Sequence, residues 1–439
     1  MREQIERFVF ESRSRVFPTV TPRRVRLLGM PGKVDAAIGM RRSGKTWLLF
    51  ERISNLVDHG VPRSRILYVN FEDERLRPLS VGDLQEFPEA LYRMSPEARD
   101  ETCYFFLDEI HIVPGWEQFV RRLSDDGKAQ LAVTGSSAAL LSREIATSLR
   151  GRSLPTEVLP FGFDEALKHA GIDPPNRFPV APRLRSTLER ALDRYMEVGG
   201  FPEVQTYPSE ARIRLLQEYA QVAVFRDVVE RHAVTHVHAL QQVVRQLLSA
   251  PAQPLSVNKL FQSLKSQGFR LAKDALYADL RHLEDAFLIG TIEIDSPSAR
   301  VRMTNPRKCY LIDPGLAHAF STRAAANLGS ILENVVYLEL RRRGFKLAYL
   351  QTESGREVDF VARRPKADPE MIQVCADMRD ASTRQREIAA LEEAFREEKA
   401  ARATIVTLRE EETITIGRRK VRVVPAWRWL LEGLPSAVQ

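Results

Sequence analysis

The stretch Gly39-Met40-Arg41-Arg42-Ser43-Gly44-Lys45-Thr46 decides how the chain is read. It has the form G-x-x-x-x-G-K-T and follows the apolar run Val34-Asp35-Ala36-Ala37-Ile38. It opens Trp47-Leu48-Leu49-Phe50-Glu51-Arg52-Ile53, where the apolar spacing is helical. Strand, glycine loop and helix in that order make a phosphate-binding P-loop. The glycines let the backbone wrap a phosphate chain, so several amides and the helix N-terminus face the anion. Gly39, Met40, Arg41, Arg42, Ser43, Gly44, Lys45, Thr46 and Trp47 are therefore the expected nucleoside-triphosphate contacts. Lys45 is expected on the β- and γ-phosphates and the Thr46 hydroxyl on Mg²⁺.

The bulk composition narrows the class. A chain of 439 residues has room for roughly two to four domains, each with its own core. The 44% hydrophobic and 28% charged shares are those of a soluble globular protein. No apolar run approaches the roughly 20 residues of a membrane helix, and Met1-Arg2-Glu3-Gln4-Ile5-Glu6-Arg7 lacks a signal-peptide core. Cys103, Cys309 and Cys375 all sit in apolar runs without metal-ligand spacing, so buried thiols in a reducing cytoplasm are expected, with no membrane partner. The net charge of +7 favours an anionic partner, and nucleotide accounts for part of it. The arginines of Thr21-Pro22-Arg23-Arg24-Val25-Arg26 are expected to face water rather than nucleic acid.

Downstream strands complete a nucleotide site. Ile66-Leu67-Tyr68-Val69-Asn70-Phe71 reads as a buried strand ending in Glu72-Asp73-Glu74, carboxylates that either surround a nucleotide or simply cap a strand. Cys103-Tyr104-Phe105-Phe106-Leu107-Asp108-Glu109 has the Walker B form, an apolar run closed by an acidic pair. It lies roughly 60 residues after the P-loop. Asp108 is expected to hold the Mg²⁺ water shell, and Glu109 to take a proton from the attacking water. Alternation along the strand would aim the two differently. A third strand, Gln130-Leu131-Ala132-Val133-Thr134, is followed by Ser136, the candidate γ-phosphate sensor, with Thr134 and Ser137 as alternatives and a helix cap as the plain reading. Arg150 and Arg152 precede a further strand, Leu154 to Leu159. Each is either an arginine finger for a neighbouring subunit or an ordinary ion-pair partner.

Taken in order, Gly39 to Thr46, Asn70-Phe71-Glu72-Asp73, Leu107-Asp108-Glu109-Ile110-His111, Gly115-Trp116-Glu117, Thr134-Gly135-Ser136-Ser137 and Leu149-Arg150-Gly151-Arg152 resemble the prokaryotic AAA+ ATPases that carry a C-terminal domain of uncharacterised function. The resemblance spans essentially the whole chain. It implies an α/β P-loop core with a parallel sheet, ATP and Mg²⁺ as cofactors, and assembly as a homo-oligomeric ring, a hexamer being favoured.

The remainder divides further. Residues 1–160 are the expected nucleotide-binding domain and 161–250 a helical lid, broken at Gly199-Gly200-Phe201-Pro202-Glu203. In that lid Arg226-Asp227 reads as a local ion pair. Residues 251–318 give helix, turn, helix and a hairpin, whose strands are read as Phe287 to Ile294 and Val301-Arg302-Met303 to Tyr310-Leu311-Ile312, the outline of a winged helix. Its second helix would offer Lys273, Tyr277 and Arg281 to DNA, and its wing Arg300, Arg302, Arg307 and Lys308. Residues 319–439 resemble the PD-(D/E)XK nuclease core, with Glu333 and Asp359 in place and Gln373 at the second acid. Cys375 stands where that core carries lysine; a thiol supplies no positive charge, so this domain is expected to be catalytically inactive and either to serve as a scaffold that helps hold DNA or to be purely structural. The chain is expected to be an ATPase that acts on DNA, branched DNA included. A nucleotide-operated switch on a protein partner is the alternative, and a Mg²⁺-dependent nuclease a minor one.

Overall fold

Five apolar runs pair in parallel in the order β2-β3-β4-β1-β5: β1 is Val34–Ile38, β2 Ile66–Asn70, β3 Cys103–Asp108, β4 Ala129–Gly135 and β5 Ser153–Glu157. Parallel strands need helical crossovers, which cover both faces of the sheet, and this explains why the central strands are apolar at nearly every position. Alternate residues enter different cores. Leu67, Phe105, Leu107 and Val133 pack in one cluster, while Ala37, Phe106 and Ala132 join Leu48, Leu49 and Ile53 of helix Lys45–Asp58 in the other. Because every strand runs the same way, the ends of β1, β3 and β4 emerge at one edge, where ligands of open α/β sheets bind.

This computed structural model describes residues 1–135, 151–321, 327–397 and 402–433. Its chain forms two compact units, Met1–Leu159 with Asp285–Phe287, and Pro160–Glu284 with Leu288–Gln439. The second begins with helices Phe163–His169, Pro182–Val198 and Ser209–Val222; the last continues through a π-helical stretch, Ala223–Glu230. There Arg226 pairs with Glu230 at 2.9 Å, one turn on, rather than with the adjacent Asp227. Neighbours in sequence face apart on a helix, whereas residues four apart meet.

After helix Val237–Ser249 the second unit builds a nine-stranded mixed sheet, β13-β14-β12-β11-β10-β9-β7-β8-β6. Its strands are β6 Gln253–Leu255, β7 Ile289–Ile294, β8 Arg307–Leu311, β9 Lys346–Gln351, β10 Glu357–Arg363, β11 Glu370–Val374, β12 Arg402–Thr407, β13 Glu412–Ile416 and β14 Arg419–Pro425. Helices Val257–Ser266 and Lys273–Asp285 separate β6 from β7. The hairpin β7–β8 is antiparallel, yet β7 also pairs in parallel with β9, so the hairpin and the C-terminal strands share one sheet. Val301-Arg302-Met303, expected as strand, lies in a short helix, Ala299–Thr304. The Ser298 side chain accepts from the Val301 amide and starts that helix.

The break after helix Pro182–Val198 is held by Asp313, whose carboxylate accepts from the Gly200 amide at 2.5 Å and the Gly315 amide at 2.8 Å. Burial pushes this carboxyl up to about 7, against the pull of those amides. Gly199 has φ +81°, and a Cβ there would collide with the Asp313 carboxylate. Gly199→Ala is expected to cost about 3 kcal/mol through left-handed strain and that collision. An unchanged urea unfolding midpoint would contradict the assignment.

Candidate functional site

The parallel register explains the centre of the first unit. Asn70 stands opposite Asp108, and Leu107 opposite Val133, so Asp108, Tyr68 and Thr134 converge at one sheet edge. The Asp108 carboxylate accepts three hydroxyls: Thr46 at 2.8 Å and Tyr68 at 2.8 Å on Oδ2, and Thr134 at 2.6 Å on Oδ1. Thr134 also accepts the Glu109 amide at 2.8 Å. Thr134 thus occupies the polar position between the strand ends that was one alternative for the sensor; Ser136, Ser137 and Arg150 lie outside the described residues.

The P-loop is shaped for backbone approach. At Gly39 an added Cβ would strike the Val158 carbonyl, and Gly44 caps the following helix with φ +102°. Lys45 is buried, with Nζ 3.1 Å from the Gly39 carbonyl, 3.2 Å from that of Met40 and 3.7 Å from Glu109 Oε1. The buried Ser43 hydroxyl has no hydrogen-bond partner among the described residues. An unsatisfied buried donor inside a glycine loop suits a phosphate oxygen. Trp47 is exposed, its ring edge against Phe50.

Glu109 departs from the expected alternation. Strand β3 ends at Asp108, and Glu109 takes a left-handed φ of +54°. Such backbone in a non-glycine residue is costly and concentrates at functional sites. Burial raises the Glu109 carboxyl above the ordinary range; Lys45 opposes this and Asp108 adds to it. His111 Nδ1 lies 3.3 Å from its other oxygen. The site therefore joins a carboxylate ringed by hydroxyls, a strained buried acid and a lysine. Asp108 and Thr46 offer oxygen ligands that fit Mg²⁺.

Other expected residues take different places. Arg152 pairs with Asp125, the ion-pair alternative to the finger. Asp73 accepts the Arg75 amide at 3.0 Å and caps a turn, while Glu72 meets Arg41 of the P-loop at 3.4 Å. Arg23, expected to face water, is instead buried, donating to the Ser43 carbonyl at 3.1 Å and the Leu159 carbonyl at 2.5 Å. It braces the P-loop from behind, as Tyr68 braces Asp108. Neither role carries a sequence signal beyond the phase of Tyr68, which shares a strand face with Asn70. Of the DNA candidates, Lys273, Tyr277 and Arg281 are exposed on helix Lys273–Asp285, and Arg302 is half-buried, 3.9 Å from Glu293. Lys308, expected on the wing surface, is only 2% exposed and points into the carboxylates of Glu333, Glu357 and Asp359. The strand alternation on β8 turns Lys308 inward while leaving Arg307 outside, 2.9 Å from Glu293. Cys375 packs in the apolar core of the C-terminal strands, its thiol donating to the Asp377 carbonyl.

Known proteins resemble this chain in sequence. Residues 32–167 match a family described as AAA domain, 189–327 a Domain of unknown function (DUF8612), and 328–429 a Domain of unknown function (DUF4143). An uncharacterized protein of Methanocaldococcus jannaschii is 35% identical over 92% of this chain and 89% of its own length. The chain belongs to its family. A Haemophilus influenzae protein, also uncharacterized, is 30% identical over 74% of this chain and 78% of its own. Among solved structures, the Walker-type ATPase of Pyrococcus abyssi aligns with TM-score 0.41 and 15% identity, over 73% of this chain and 95% of that one. The first unit is an AAA-type P-loop ATPase fold, and no helix among the described residues is long and apolar enough to cross a membrane.

Replacing Arg23 by Ala removes charged donors from two buried carbonyls and is expected to destabilise the first unit by about 2 kcal/mol. Chemical denaturation followed by the fluorescence of Trp47 and Trp116 measures this; an unshifted midpoint contradicts a bracing role.

Proposed function

We propose that the protein binds ATP with Mg²⁺, hydrolyses it, and couples the cycle to binding or remodelling DNA. The observation that carries the ATPase part is the Asp108 carboxylate held by the Thr46, Tyr68 and Thr134 hydroxyls beside the Lys45–Glu109 pair. Mg²⁺, when bound, would neutralise charge on the β- and γ-phosphates, with Thr46 and Asp108 as its holders. The chain's own residues do the rest. Loop amides and the Ser43 hydroxyl bind phosphate oxygens, and Lys45 turns from the loop carbonyls to the anion. Glu109, released from Lys45, accepts the proton of the attacking water. Burial raises its carboxyl, which strengthens it as a proton acceptor. Ring assembly, with an arginine supplied by a neighbouring copy, belongs to the same reading.

The DNA part rests on the second unit. Helices Val237–Ser249, Val257–Ser266 and Lys273–Asp285 with strands ordered β6-β8-β7 follow the winged-helix outline. A groove of about 730 Å³ runs along Tyr277, Arg281, Met303 and Arg307. Tyr277 is 44% exposed and Met303 83%, flat and apolar groups beside cations, as backbone-tracking nucleic-acid surfaces need. A second reading, a nucleotide-operated switch on a protein partner, is favoured by the acidic Asp274 and Glu284 in the same groove and by the pairing of Arg307 with Glu293.

Lys45→Ala is expected to abolish nucleotide binding in a fluorescent-ATP titration. Glu109→Gln is expected to keep ATP affinity and lose turnover by at least about 100-fold; rapid hydrolysis by that variant would remove Glu109 from the chemistry. For the DNA reading, duplex or four-way-junction DNA should stimulate hydrolysis in a manner that weakens steeply with salt, and Arg281→Ala should reduce it. A flat response to every DNA structure at low salt, together with a stoichiometric protein partner, would select the switch instead.

A further inference from the structure

The C-terminal sheet brings together four polar residues that the nucleotide site does not use. Glu333 projects from helix Leu328–Arg342, Glu357 and Asp359 from β10, and Gln373 from β11. The pairing of β10 with β9 shifts register between Val358 and Val361, so Asp359 sits in a bulge, which re-aims its side chain. Its Oδ2 accepts the Val374 amide at 2.9 Å, and its own amide donates to Gln373 Oε1 at 3.3 Å. Gln373 in turn donates to Glu387 at 2.5 Å. Three carboxylates converging under such fixed hydrogen bonds ordinarily demand a cation.

The cation comes from the hairpin. Lys308, on β8, places Nζ 2.5 Å from Glu333 Oε1, 2.8 Å from Glu357 Oε1 and 3.0 Å from Asp359 Oδ1. An ammonium has three donors and no acceptor, so one group at the focus satisfies all three acids. Tyr310, also on β8, adds its hydroxyl to Glu333 at 2.8 Å. The side chain of Lys308 is 3% exposed, and those of Glu333 and Asp359 are 13% and 10% exposed. Attraction to the acids keeps the lysine charged despite burial. Burial, with Asp359 nearby, lifts Glu333 to about 8, and Lys308 and the Tyr310 hydroxyl oppose that rise.

We propose that the Lys308 ammonium is a built-in cation that takes the place of a divalent metal ion among Glu333, Glu357 and Asp359, locking the β7–β8 hairpin to the C-terminal sheet. Covalent attachment to β8 gives the ammonium an effective concentration that a free ion cannot match. The same contact supplements the β7–β9 pairing and the Leu311–Asn334 hydrogen bonds, where the Leu311 amide donates at 2.7 Å and its carbonyl accepts at 3.1 Å. The groove-bearing hairpin and the C-terminal strands therefore act as one body. The positive charge missing at Cys375 is present after all, but as a seal rather than as an aid to a metal-bound water. None of this depends on the nucleotide site or on DNA.

The test uses the full chain with Mn²⁺ alone as the probe. Lys308→Met keeps length and volume and removes the charge. It should lower the melting temperature of the second unit by roughly 10 °C, because it leaves buried acids uncompensated. Mn²⁺ should restore part of the loss in Lys308→Met, and the restoration should vanish when Asp359→Asn is added. The triple variant Lys308→Met, Glu333→Gln, Asp359→Asn should recover melting without metal, since the acids then need no partner. Wild type and Asp359→Asn should respond identically to Mn²⁺, a comparison that holds even where Lys308→Met fails to fold. A wild-type Mn²⁺ response that Asp359→Asn abolishes would overturn the proposal, as would a Lys308→Met chain that melts like wild type.

Discussion

The first unit depends on a single buried carboxylate. Asp108 is 1% exposed and accepts hydroxyls from three elements, the P-loop helix, β2 and β4. A carboxylate is an acceptor only, and hydroxyl donors satisfy its lone pairs without cancelling its charge. Its negative charge therefore remains for a cation, while the three bonds fix its direction. The parallel register makes this possible, since only strands running the same way deliver β1, β3 and β4 to one edge. Each hydroxyl also ties its own element to the centre, so the P-loop helix, β2 and β4 are positioned by one group.

Much of this edge was legible in the residues. G-x-x-x-x-G-K-T after an apolar run, and an acidic pair closing a second run, state the chemistry and the crossover together. What stayed hidden were side chains whose role depends on distant pairing. Tyr68 looks like any aromatic of a buried strand until register places it diagonally across from Asp108. Arg23 looks like a solvated charge in a basic segment; only the folded chain brings it beneath Ser43 and Leu159. Glu109 is legible as the second acid of the pair, but alternation does not set its aim: the backbone takes a left-handed residue there instead.

The second unit was legible in its elements and less so in their joining. Helix spacing marks Lys273–Asp285, and the alternation of Glu412–Ile416 is a strand signal, yet no local pattern announces that β7 pairs with β9. Parallel pairing between segments this far apart leaves no mark in either one. Val301-Arg302-Met303 shows the opposite limit. Its β-branched start suits a strand, but Ser298 supplies a cap and the next turn follows the cap.

Two clusters of acids with one lysine stand out among the described residues, and their difference is one of commitment. Lys45 contacts Glu109 at 3.7 Å and otherwise rests on two backbone carbonyls, neutral acceptors that a phosphate readily outcompetes. Lys308 contacts three carboxylates within 3.0 Å, and two of them, Glu333 and Asp359, would be left buried without a countercharge if it moved. The first arrangement can be reorganised by a ligand; the second resists one. Residue types alone do not separate these cases, since both sites contain acids and a lysine. The separating quantity is the charge of what the ammonium would leave behind, and it assigns exchangeable chemistry to the P-loop and cohesion to the C-terminal sheet.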